Sequence, residues 1–267
     1  MNAPMTTGKV TAPKLTAMKA AGRKIVMLTA YDAPTASLLD ASGVDCLLVG
    51  DSVGTTVQGR DTTLPVTLDQ IIYHAEIVGR AVQRALVIVD LPFGSFQIGP
   101  KETVAAAVRV LKETGCPAVK LESSLAQADC VAALADAGIP VMAHCGLRPQ
   151  SVHQIGGYKV QRDRERVLAD AKAAADAGAF AVVLECVPVS LADEITAAIS
   201  IPTIGIGAGA GCDGQVLVVH DLLGMTPRPA RFVKAYAQLA ETIQSAARQY
   251  CDEVRGGTFP SEEHTYQ

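Results

Sequence analysis

Phe180-Ala-Val-Val-Leu-Glu185, entered from the Ala-rich stretch Arg164–Ala177 through Gly178, carries the fold in miniature. The amphipathic stretch reads as a helix, and the glycine after it is the residue type that ends helices in a left-handed cap. The run that follows is almost continuously apolar instead of alternating. Such a run predicts a strand buried on both faces, as in a parallel sheet. It ends on a carboxylate.

The same unit recurs along the chain. Eight strands are expected: Ile25–Ala30, Asp45–Gly50, Leu86–Asp90, Ala118–Glu122, Val141–Gly146, Phe180–Glu185, Thr203–Gly207 and Gln215–His220. Helical patterns lie between them, clearest in Lys101–Thr114, Ala126–Ala137, Arg164–Ala177 and Leu191–Ile199, and Gly115, Gly138 and Gly178 close three of them. Eight such βα units in about 250 residues predict an α/β chain folded as a (β/α)8 TIM barrel. An open doubly wound sheet would call for a Gly-rich phosphate turn after the first strand, and Leu28-Thr-Ala-Tyr-Asp-Ala33 has none. A single domain over residues 1–267 is expected, with short, loosely packed tails at about 1–13 and 256–267.

Composition narrows the function classes. The 267 residues are 49% hydrophobic and 19% charged, with a net charge of −4, so a large core is available and nucleic acid is not an expected partner. Apolar runs such as Ala85–Val89 fall far short of the roughly 18 residues of a membrane span. The opening MNAPMTTGKV lacks the apolar centre of a secretory signal, so a cytoplasmic location is expected. The seven cysteines are scattered without C-x-x-C or zinc spacing and read as reduced, mostly buried thiols.

In a barrel the active site forms at the carboxyl ends of the strands. Four expected strands end there in acids: Asp51 just past the second, Asp90 on the third, Glu122 on the fourth and Glu185 on the sixth. Lys120, two residues before Glu122, shares its side of the strand, and His144 on the fifth reaches the same rim as a candidate substrate contact. Any one such acid has an ordinary alternative as a helix N-cap or salt-bridge partner. Four converging carboxylates repel one another, and one lysine does not balance them, which points to a divalent cation with oxygen ligands such as Mg²⁺. Such a cation suits chelation of a 2-oxo acid and acidifies its neighbouring C–H. Glu185 then serves as the base, with Leu184, Cys186 and Val187 expected to lift its pKa toward neutrality. The Gly205–Gly211 run leaves two readings, a backbone approach to ligand or a tight βα turn with positive φ.

Several stretches resemble one family. Leu47-Leu-Val-Gly-Asp-Ser-Val-Gly54, Asp61-Thr-Thr-Leu-Pro-Val-Thr67, Asp90-Leu-Pro-Phe93, Val119-Lys-Leu-Glu122, His144-Cys-Gly-Leu-Arg-Pro-Gln-Ser151, Gly156-Gly-Tyr-Lys-Val-Gln161 and Leu184-Glu-Cys-Val-Pro188 occur in order. Together they resemble the ketopantoate hydroxymethyltransferases, within the barrel superfamily of phosphoenolpyruvate mutase and isocitrate lyase.

The resemblance implies a Mg²⁺-dependent, cytoplasmic homo-oligomer, often a decamer, of pantothenate biosynthesis. The implied reaction carries a hydroxymethyl group from 5,10-methylenetetrahydrofolate to 3-methyl-2-oxobutanoate, giving 2-dehydropantoate. Carried over by motif, Asp51 and Asp90 bind the metal, with Glu122 a third ligand, directly or through water. Asp51, Ser52, Asp90 and Lys120 contact the 2-oxo acid, and Glu185 accepts the proton. A carbon–carbon lyase on a metal-bound 2-oxo acid is the alternative. It would carry a cysteine-bearing loop after the fourth strand, where this chain has Leu121-Glu-Ser-Ser-Leu-Ala-Gln127. A non-catalytic 2-oxo-acid-binding barrel is a third reading, and the acid at Glu185 weighs against it.

Overall fold

The structure, a computed structural model, describes residues 8–267. They fall into two compact units, one ending at Val218 and one spanning Val219–Gln267. The first holds eight parallel strands: β1 (Ile25–Thr29), β2 (Cys46–Val49), β3 (Leu86–Asp90), β4 (Ala118–Glu122), β5 (Val141–Gly146), β6 (Ala181–Glu185), β7 (Thr203–Ile206) and β8 (Gly214–Leu217). They close in sequence order, with β8 pairing back onto β1 through Ile25 opposite Gly214. The expected TIM barrel is therefore the observed one.

One core cluster fills the barrel. Met27, Leu48, Ile88, Ala118, Met142 and Val183 belong to it, and they occupy every second position of their strands. That parity defines which side chains point inward. Burying each large member contributes about 1.5–3 kcal/mol relative to exposure. Val10, Leu15 and Met18 join the same cluster, the last two from the helix Ala12–Ala20. Val10 is buried and its N–H donates to the Arg84 carbonyl, while Thr11 and Pro13 beside it are exposed.

Two features depart from expectation for local reasons. β8 stops at Leu217, the last residue with a partner on β1, so His220 lies on the short helix Val219–Leu222 and not on a strand. In the Gly-rich run, Gly207 and Gly209 adopt φ of +63° and +85°. A Cβ on Gly209 would sit 2.8 Å from Val189 of the helix Val189–Ala198 that precedes β7, which favours the tight-turn reading.

The second unit contains the helix Leu239–Arg255 and a 3₁₀ turn at Glu262–His264. Its tail is docked on that helix, with the Phe259 ring 5.5 Å from Tyr250 and 5.2 Å from His264. None of the described helices is long and apolar enough to cross a membrane.

Candidate active site

The inward parity that fills the barrel with Leu48, Ile88, Met142 and Val183 continues upward into polar residues. Counting by twos, Ile88 leads to Asp90, Ala118 to Lys120 and Glu122, Met142 to His144, and Val183 to Glu185. The register sets Asp90 beside Lys120, Glu122 beside His144, and Gly146 beside Glu185. The apolar lower layers thus carry an ionisable cup on top. Asp51 enters it from the turn after β2, where its N–H reaches Asp90 Oδ2 at 3.4 Å.

Asp51, Asp90, Lys120, Glu122 and His144 are all buried. Lys120 Nζ donates to both Asp90 oxygens at 2.7 Å. Burial pushes the Asp90 carboxyl up to about 7, against the pull of Lys120, with the charge of Asp51 adding to the rise. Burial likewise pushes Glu122 well above the usual range, and Asp51 adds to it. For Lys120, burial works to lower its pKa, but Asp90, Asp51 and Glu122 outweigh it and the pKa is raised. Lys120 is therefore a fixed cation, unsuited to act as a free-amine nucleophile.

Sequence reading missed Gln150, and its amide organises the cup. Its Nε2 donates to Asp51 Oδ2 at 2.9 Å and to the Leu91 carbonyl at 3.1 Å, while its backbone N–H donates to Glu122 Oε1 at 2.9 Å. Glu122 Oε2 is buried and has no hydrogen-bond partner. Gln150 lies in the 3₁₀ turn Pro149–Ser151 after β5, so no strand-end rule points to it; its place inside the His144–Ser151 stretch is the one available signal. Tyr31 was missed too. Its buried hydroxyl pairs with Ser52 Oγ at 2.7 Å and fixes that side chain at the rim.

Across the cup, Glu185 Oε2 lies 3.3 Å from His144 Nε2, close in distance yet off the line of a formed hydrogen bond. Burial and the charge of Lys120 lower the His144 pKa, so the ring is held neutral. The Glu185 side chain keeps 18% of its exposure. The apolar enclosure expected of its neighbours is incomplete, because Leu184 points to the opposite face of the strand. Gly146 lets β5 approach here: a Cβ on it would stand 2.3 Å from the Glu185 carbonyl. Just beyond, Cys186 holds a left-handed φ of 48°, pinned by its N–H on the Ile206 carbonyl and its own carbonyl on the Gln161 N–H. Such strain marks a backbone that the surrounding structure over-determines.

Burial pushes the Cys145 thiol up to about 12 and the Cys186 thiol up to about 11, so neither is poised as a thiolate. Tyr158 hangs from the loop after β5. Burial first, then the charges of Asp51, Glu185 and Glu122, raise its phenol pKa.

The acids and Lys120 are thus brought together. Among the described residues, however, no three His, Cys, Asp or Glu side chains already converge as a metal cage. Lys120 occupies Asp90, and Gln150 holds Asp51 and Glu122. The chemistry of the donors still fits a hard cation. Three buried carboxylates face a single lysine, and one carboxylate oxygen is unpartnered.

Comparison with known proteins bears on the family. A family model described as ketopantoate hydroxymethyltransferase matches residues 9–262. The 3-methyl-2-oxobutanoate hydroxymethyltransferase of Rhodopirellula baltica is 55% identical over 260 residues, covering 97% of either chain. That of Trichlorobacter lovleyi is 53% identical, covering 97% of this chain and 98% of its own. Among solved structures, a phosphoenolpyruvate phosphomutase from Streptomyces platensis subsp. rosaceus superposes with a TM-score of 0.63 at 17% identity, covering 96% of this chain and 92% of its own, which shows a shared barrel. Matched along nearly its whole length by that family model and by relatives more than half identical, the chain belongs to the ketopantoate hydroxymethyltransferase family.

Proposed function

We propose that the chain transfers a hydroxymethyl group from 5,10-methylenetetrahydrofolate to 3-methyl-2-oxobutanoate, giving 2-dehydropantoate. The observation that carries this reading is the cup itself, in which a fixed cation, buried acids and a more open acid stand on one rim of a chain of this family.

The donor set fits Mg²⁺ or a similar divalent cation on Asp51 and Asp90, with Glu122 third, directly or through water. When bound, that ion supplies Lewis-acid polarisation of the keto group. The protein's own groups do the rest. Ser52, oriented by Tyr31, donates to the substrate carboxylate, and Lys120 offsets negative charge on the substrate oxygens. Neutral His144 stands beside Glu185 as a donor and further substrate contact. Glu185 takes the C3 proton at its carboxylate, leaving an enolate whose C3 attacks the folate-borne carbon. Water frees that carbon from folate N5 and N10 as formaldehyde, its two hydrogens passing to those nitrogens to give tetrahydrofolate. The C3–carbon bond then forms as the aldehyde C=O π bond opens, and the resulting alkoxide takes back the proton held by Glu185 to become the hydroxyl.

Purified protein with both substrates and Mg²⁺ should form 2-dehydropantoate, stop with EDTA and resume when Mg²⁺ is restored. No product under those conditions overturns the reading. On the same reading the chain works in the cytoplasm as a homo-oligomer. Ala240, Ile243, Ala247, Tyr250 and Val254 recur at three- and four-residue spacing on a helix that buries none of its residues. A monomer mass by light scattering would contradict the assembly.

A further inference from the structure

A cavity of about 460 Å³ lies against the cup and shares a wall with it. Glu122 and Gln150 form that wall, and they are the pair whose hydrogen bonds lead on to Asp51. The unpartnered Glu122 Oε2 belongs to the same buried wall side chain. Phe93 and Phe96 line the cavity from the loop that leaves β3 directly after Asp90. Phe96 is buried, whereas Phe93 is 49% exposed, so a broad aromatic face stands open beside the site. Arg148 from the loop after β5 and His153 from the short helix Val152–Ile155 add a guanidinium and an imidazole.

These features define a ligand class. The volume lies in the roughly 300–1,000 Å³ range of sites for ligands much larger than a five-carbon 2-oxo acid. An open aromatic face suits a flat ring system, and an arginine on the wall suits a carboxylate. The shared wall places whatever fills the cavity next to the 2-oxo acid. Resting on the hydroxymethyl-transfer reading, we infer that this cavity seats the folate co-substrate, with Phe93 against its rings and Arg148 pairing with its glutamate carboxylates.

The test is calorimetric binding of anaerobic tetrahydrofolate and of 6-methyltetrahydropterin, which lacks the aminobenzoyl-glutamate, to wild type, Phe93→Ala and Arg148→Gln. Both side chains are partly exposed, so the variants should melt like wild type. Phe93→Ala should weaken tetrahydrofolate about tenfold or more, the scale of a lost stacking contact. Arg148→Gln should weaken tetrahydrofolate about tenfold while leaving 6-methyltetrahydropterin unchanged, the scale of a lost charge-assisted pair. In turnover, KM for methylenetetrahydrofolate should rise in both, with KM for the 2-oxo acid unmoved. Wild-type affinity of both variants for tetrahydrofolate, or a KM rise confined to the 2-oxo acid, overturns the assignment. If the wild-type enzyme does not turn over, the underlying reading falls. If it turns over and the variants bind normally, only the cavity assignment falls.

Discussion

Asp90→Asn is expected to lower kcat/KM by about a hundredfold or more and to raise the Mg²⁺ concentration that half-saturates activity. Removing one pre-organised electrostatic partner of a transition state costs on that scale. The substitution also leaves Lys120 buried without the carboxylate that now accepts both of its 2.7 Å bonds. Breaking a buried pair from one side costs about 3–5 kcal/mol, so the variant should melt lower as well. A double variant separates the two effects. Asp90→Asn with Lys120→Met removes both charges and should recover part of the lost stability while activity stays lost. Metal titrations of Asp51→Asn and Asp90→Asn that superimpose on wild type would remove both residues from the metal site.

The barrel was readable because each strand is buried on both faces, which leaves a continuous apolar run that helices do not imitate over so short a length. The rim was readable for a related reason. A charged residue at the end of such a run has nowhere to point but the cup or the helix cap, and for Asp90, Lys120, Glu122 and Glu185 the inward parity decides for the cup. Strand boundaries failed where pairing decides them: the apolar run continues through Val219, but the ladder to β1 ends at the Leu28–Leu217 pair. Gln150 and Tyr31 escaped notice because they reach the site from a 3₁₀ turn and a loop, where side-chain direction does not follow a two-residue period. Around Glu185, Leu184 faces the helices and Gly146 sets the approach of β5, a geometry that the order of neighbours along the chain does not carry.

That open position of Glu185 bears on the reaction itself. Proton removal from C3 needs the 2-oxo acid, the divalent cation and a base, and no folate. Wild-type enzyme with Mg²⁺ should therefore exchange the C3 hydrogen of 3-methyl-2-oxobutanoate with D₂O in the absence of the co-substrate, followed by proton NMR. Glu185→Gln keeps the shape of the side chain and its distance to His144, 3.3 Å in the native chain, while removing the basic oxygen. Exchange and full turnover should then fall together by about 10²–10⁴-fold, the usual worth of a positioned general base. A Glu185→Gln enzyme that exchanges at the wild-type rate assigns the proton to another residue. Wild-type enzyme that turns over but shows no exchange without folate means that proton removal waits for the second substrate, which would couple the cup to the cavity beyond Glu122 and Gln150.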